Sequence, residues 1–106
     1  IEPYPRSPDV PAAVHAIMAL VGRARGVSKV DLCSRRRGAA QCLARHIVFW
    51  LARRHTTYSL VRVGLAVGGR DHTTVIHGIK KIDGLLLTNS ALAAEIAKFS
   101  QILEDC

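Results

Sequence analysis

Ser59-Leu60-Val61-Arg62-Val63-Gly64-Leu65-Ala66-Val67-Gly68-Gly69-Arg70-Asp71-His72-Thr73-Thr74-Val75-Ile76-His77 is the stretch that decides the fold. Ser59 has the side chain of a helix N-cap, and the apolar run behind it predicts a short helix through about Val67. Gly68-Gly69 reads as a turn, because glycine takes backbone angles that other residues avoid. Asp71 then caps a longer helix in which Val75, Ile79, Ile82 and Leu86 recur at i, i+4, i+7 and i+11. A short helix, a glycine turn and a longer helix with a polar outer side are the parts of a DNA-reading helix-turn-helix, here over about residues 59–88.

The outer side of the longer helix presents Thr73, His77, Lys80 and Lys81 at three- and four-residue spacing. Its start, Arg70-Asp71-His72-Thr73-Thr74, holds side chains short enough to reach base edges in a major groove. Asp accepts from cytosine N4, Thr bonds a base or offers its methyl to thymine, and His does either. Capping and base contact are compatible for Asp71, since one carboxylate oxygen can serve each. The free N–H groups of Ser59-Leu60-Val61 form a candidate phosphate clamp.

Outward from this unit the chain reads as helical. Residues 1–8 are a Pro-rich extended lead-in, and 9–106 form a single helical domain. Asp9 and Pro11 suit a first helix running to about Arg25, with Val14, Ile17, Met18 and Val21 on one face and Gly26 as its stop. Ser28 starts a short turn over Lys29–Cys33 that directs Val30 and Leu32 towards a core. Ser34–Gly38 is a basic loop, and a third helix from about Ala39 to His55 buries Leu43, Ile47, Trp50 and Leu51. Arg45 and Arg53 lie elsewhere around that helix. Thr88-Asn89-Ser90 is a stop and restart, followed by a helix with Leu92, Ile96, Phe99 and Leu103. Nothing argues for a sheet. The expected class is all-α, with five or six helices.

The chain has 106 residues, 15 Lys or Arg against 8 Asp or Glu, and a formal net charge of +7. Ten of the basic residues lie between Arg35 and Lys81, and the one acid among them is Asp71. Segregated cationic charge favours a polyanion, and Arg35-Arg36-Arg37 is a candidate arm for a minor groove. The longest stretch without charge or Gly, Val10 to Val21, is twelve residues, short of the roughly 20 a membrane span needs. Three Cys without a C-x-x-C pair suggest a reducing, cytoplasmic setting rather than a disulfide framework.

Other chemistry is poorly supported. Gly64 to Asp71 departs from a phosphate-binding loop at the Lys and the hydroxyl, and no strand precedes it. Cys42 and His46 have ligand spacing but no further partners for a metal. No carboxylate pair or nucleophile–base set points to an enzyme. Neither a cofactor nor a small-molecule substrate is expected. With aromatics at 5%, sequence-specific RNA binding is the weaker reading, and so is a basic module for an acidic protein partner.

Gly68-Gly69-Arg70-Asp71-His72-Thr73-Thr74-Val75-Ile76-His77, followed by Lys81-Ile82, resembles the signature of the C-terminal DNA-binding domain of the DnaA family of bacterial replication initiators. Val30, Leu32, Ser34, Arg36 and Arg37 resemble the segment before that family's basic loop. Ala44-Arg45-His46 falls where the family has Pro-Arg-Gln. The resemblance covers about residues 10 to 103. It implies a Trp-repressor-like, all-α domain reading a short asymmetric box of double-stranded DNA, one copy per site. By position it places Asp71, His72, Thr73 and Thr74 on bases of the major groove and Arg37 in the adjacent minor groove. Arg35, His46, Arg53, Leu60, Val61 and His77 fall where the family holds phosphates, and Arg36, Ser59, Arg70 and Lys80 complete the expected phosphate set. Ala44, Ala39 and His46 depart from the family pattern on this phosphate side. The implied role is replication initiation or its regulation at the nucleoid, or transcriptional control through the same mode. The family's ATP-hydrolysing domain has no counterpart in this sequence. The chain is therefore expected to be an excised domain or a free-standing carrier of the module, the looser match in helices 1 and 3 pointing to the latter.

Overall fold

A computed structural model describes residues 12–35 and 37–104, so the lead-in, the Asp9 cap and Arg36 lie outside the described residues. Among those residues the order is α1 (Ala12–Arg25), α2 (Lys29–Cys33), α3 (Ala39–His55), α4 (Leu60–Ala66), α5 (His72–Thr88) and α6 (Ser90–Glu104), with no strand. The expected all-α class is the observed one.

The central element is α3, packed against each of the other five helices. Its composition explains this. Ala44, Ile47, Val48, Phe49, Leu51 and Ala52 are all buried, a band too wide for a helix with one wet side. Leu43 and Trp50, expected in that band, are only half-buried. The Trp50 indole instead donates to the Asp83 carboxylate of α5 at 2.8 Å, and the Arg54 guanidinium lies 5.9 Å from the ring centre.

From α1, Val14, Ile17, Met18 and Val21 enter the core as the spacing predicts. In α2 only Leu32 does, while Val30 is 56% exposed. Residues two apart on a helix point about 200° apart, so one short turn cannot direct both inward. Asn89 closes α5 with its backbone N–H on the Leu85 carbonyl and opens α6 by accepting from Leu92 N at 3.0 Å. The Arg25 guanidinium grips Glu95 with two bonds, fastening α1 to α6.

Candidate nucleic-acid interface

The helix-turn-helix is assembled by its caps. Ser59 Oγ accepts from Arg62 N at 3.2 Å and starts α4. Gly68 and Gly69 then take φ of +81° and +70°, reversing the chain in two residues. Gly68 has a second constraint, since a Cβ there would run into the Cys33 carbonyl and the Arg70 guanidinium. The turn is thus pressed against the end of α2, which places it beside the basic loop.

At the start of α5 the Asp71 carboxylate accepts from Thr73 N at 3.4 Å and more closely from the Thr73 hydroxyl at 2.7 Å. His72 Nδ1 lies 3.0 Å from the same carboxylate. Both oxygens are therefore engaged. The Thr73 hydroxyl is the main cause holding the Asp71 carboxyl below its ordinary pKa, with the Thr73 N–H and His72 adding to it. Because the hydroxyl proton points to Asp71, the outward lone pairs of Thr73 can only accept. Asp71, His72, Thr73 and Thr74 all stand exposed, as do His77, Lys80 and Lys81 further along α5. The inward side of α5 carries Val75, Ile79 and Ile82.

One cleft joins the loop residues to two of the predicted base-reading residues of α5, Asp71 and Thr74, while His72 and Thr73 lie outside it. Arg35 and Arg37 line it from the loop, His46 from α3, and Arg70, Asp71 and Thr74 from the turn and α5. Arg53 is not in this cleft but in a neighbouring one with Trp50, Arg54 and Asp83. Ser59 and Val61 are exposed at the start of α4, with Leu60 half-buried between them.

His46 is half-buried with its ring tilted 36° to Phe49 at 6.3 Å between centroids. Burial is the first cause keeping its pKa below 6.5, and the charges of Lys81 and Arg45 push the same way. This packing explains Gly78. A Cβ there would sit 2.7 Å from His46 Cδ2 and 2.8 Å from Phe49 Cδ2, so glycine lets α5 lie close against α3.

Arg45 departs from the expected basic surface. It is only 5% exposed, inside the domain. Its Nε donates to the Leu32 carbonyl at 2.9 Å, Nη2 donates to Asp31 and Ser34 carbonyls at 3.0 Å each, and Nη1 reaches Cys42 Sγ at 3.7 Å. These carbonyls belong to the end of α2 and the first residue of the loop. Arg70 is half-buried and donates to the Val67 and Ser34 carbonyls. Its pKa is lowered first by burial and then by the nearby Arg45 charge. A count of basic residues could not separate these two from the exposed ones. The available signal was the placement of Arg45 between Ala44 and Ile47-Val48, on the side of α3 that becomes buried.

The family model for the bacterial DnaA protein helix-turn-helix matches residues 14–82. The chain is 46% identical over 83 residues to a chromosomal replication initiator protein DnaA of Xanthobacter autotrophicus, covering 78% of this chain and 16% of that protein. A DnaA of Rhodopseudomonas palustris is 38% identical over 92 residues, covering 87% and 19% respectively. For the DnaA of Caulobacter vibrioides the figures are 34% over 103 residues, 97% and 21%. The chain thus spans about a fifth of the length of these curated relatives.

Proposed function

The chain belongs to the bacterial DnaA helix-turn-helix family, and from that premise we propose that it binds a short asymmetric box of double-stranded DNA. The start of α5 enters the major groove, and the loop carrying Arg37 lies in the adjacent minor groove. The observation that carries this reading is the shared cleft, whose walls are the basic loop on one side and Asp71 and Thr74 on the other. A major groove admits a helix, and the flanking minor groove is then within reach of the loop.

The polar geometry supports a division of labour. Asp71 and Thr73 present acceptors, suited to the exocyclic amines of cytosine or adenine, and His72 and Thr74 flank them. The exposed Arg35, Arg53, His77 and Lys80 supply phosphate contacts, with the Ser59-Leu60-Val61 backbone at the start of α4 and the half-buried His46 beside Lys81. The relatives' names support a role in replication initiation or its regulation. One copy occupies each asymmetric site.

The test is a titration of the duplex that the chain enriches from a randomised pool against a scrambled duplex, at two salt concentrations. Preference for the enriched duplex is expected. Arg53→Ala should weaken both duplexes alike and reduce the salt slope by about one unit. Equal affinity for the two duplexes would leave only a cationic surface, as expected of a module for acidic proteins.

A further inference from the structure

Two arginines from separate parts of the chain converge on one backbone carbonyl. Ser34 O accepts from Arg45 Nη2 at 3.0 Å and also from Arg70 Nη2. A carbonyl has two lone pairs, so both positions are used. Arg45 is fixed in the wall of α3, and its other donors hold the last carbonyls of α2. Arg70 is fixed in the turn before α5 by its second bond to Val67 O. Ser34 is the residue from which the basic loop departs. The residue that leads into the Arg35- and Arg37-bearing loop is therefore held by the same turn that precedes α5.

We infer that Arg45 and Arg70 are positioning residues, which register the Arg35- and Arg37-bearing loop against the recognition helix so that one rigid body spans two grooves. This rests on the double-stranded DNA reading above and adds to it the means by which the two contacts are coupled. Two cations around one carbonyl repel each other, and the Arg45 charge adds to burial, the larger cause, in lowering the Arg70 pKa. The fork geometry matters more than the charge. A lysine reaches with one nitrogen, so it cannot hold the Leu32 carbonyl bonded by Arg45 Nε together with the Asp31 and Ser34 carbonyls bonded by Nη2, nor bridge the Val67 and Ser34 carbonyls that Arg70 holds with separate nitrogens. Neither side chain needs to touch DNA for this role, and Arg45, which lines the shared cleft, is only 5% exposed there.

The test is a pair of double-mutant cycles on the enriched duplex, using Arg45→Lys to keep the charge and remove the fork. In the parent chain, Arg37→Ala and Thr73→Ala should each weaken binding about tenfold. In the Arg45→Lys chain, Arg37→Ala should cost less than about twofold, while Thr73→Ala keeps its full cost. A role in stability alone would leave both losses unchanged, and such additivity would overturn the inference. Should Arg45→Lys not fold by circular dichroism, Arg70→Lys carries the same cycle, because its side chain lies at the turn and is only half-buried. A parent chain without preference for its enriched duplex would refute the base-reading function. Preference retained with additive losses would refute only the registration.

Discussion

Asp71, His72 and Thr73 at the start of α5 are bonded within a three-residue span and stand in solvent, whereas Arg45 is buried and joins α3 to the end of α2 and the basic loop. The first group can change its partners when a base edge arrives, because each bond it loses is local and the groups are already hydrated. The second cannot, because releasing its bonds would leave the Leu32 carbonyl in a dry place and a buried guanidinium without partners. On the proposed function, the surface combines exchangeable contacts with a fixed frame. Unfolding measurements and binding measurements should therefore divide the residues differently.

The largest effect on stability is expected at the frame. Arg45→Met keeps an unbranched apolar stem but strands the buried Leu32 carbonyl and removes one bond each from the Asp31 and Ser34 carbonyls, which keep Ser34 and Arg70 as donors, so urea unfolding should show a loss of about 1–3 kcal/mol. A loss within about 0.5 kcal/mol, as for an ordinary surface change, would break the contrast. Next comes the contact between α5 and α3. Gly78→Ala gains up to about 1 kcal/mol of helix propensity but forces a methyl against His46 and Phe49, whose overpacking costs about 1–3 kcal/mol. The net change should be destabilising. Gly84→Ala, on the same helix with open space around it, should instead stabilise by about 0.5–1 kcal/mol. Two equal substitutions of opposite sign would show that α5 is constrained on one side only.

The sequence made the exposed half of this surface readable and left the frame hidden. Caps act over two or three residues, so Ser59, Asp71 and the restart at Asn89 could be found by local pattern, and so could the apolar stripes of α1, α5 and α6. The basic run Arg35–Arg37 suggests an arm next to the α5 helix, but the cleft that Arg37 shares with Asp71 and Thr74 has no signature in residue spacing. Arg45 was not anticipated, because its partners lie 11 to 14 residues away and are backbone carbonyls, which have no residue-type signature. Trp50 and Val30 missed their expected burial for a related reason. A helical wheel gives the faces of an element, but its neighbours decide how many of those faces are covered.

His46 stands between the two regions and should respond to pH. Its folded pKa lies below 6.5, so above that value both folded and unfolded chains hold it neutral and its contribution to stability is fully present. As pH falls below 6.5 the unfolded chain takes the proton first, and stability declines until the folded pKa is passed. The urea midpoint of the parent chain should therefore drop between pH 7.5 and 5.5 by more than that of His46→Gln. DNA binding should run the other way, since a nearby phosphate favours the protonated ring. Tighter binding on acidification should thus be reduced in His46→Gln, and an unchanged pH profile would show that no phosphate comes near the ring.

The smallest stability change is expected at the acid itself, where the effect on recognition is distinct. Asp71→Asn keeps an N-cap of similar quality and an oxygen for the Thr73 N–H, so its urea midpoint should match that of the parent at neutral pH. It exchanges one acceptor for an amide donor and frees the Thr73 hydroxyl from its ionised partner. Discrimination at one base pair of the enriched duplex should then shift by about tenfold, with the remaining positions unchanged. The parent carboxyl titrates below 3.8, so this selectivity should be flat from pH 5 to 8, with the Asp71 contribution to folding lost only as pH falls through its lowered value. A variant equal in stability and altered at one base pair would separate exchangeable reading from fixed support more cleanly than any substitution in the frame, because nothing beneath Asp71 depends on it.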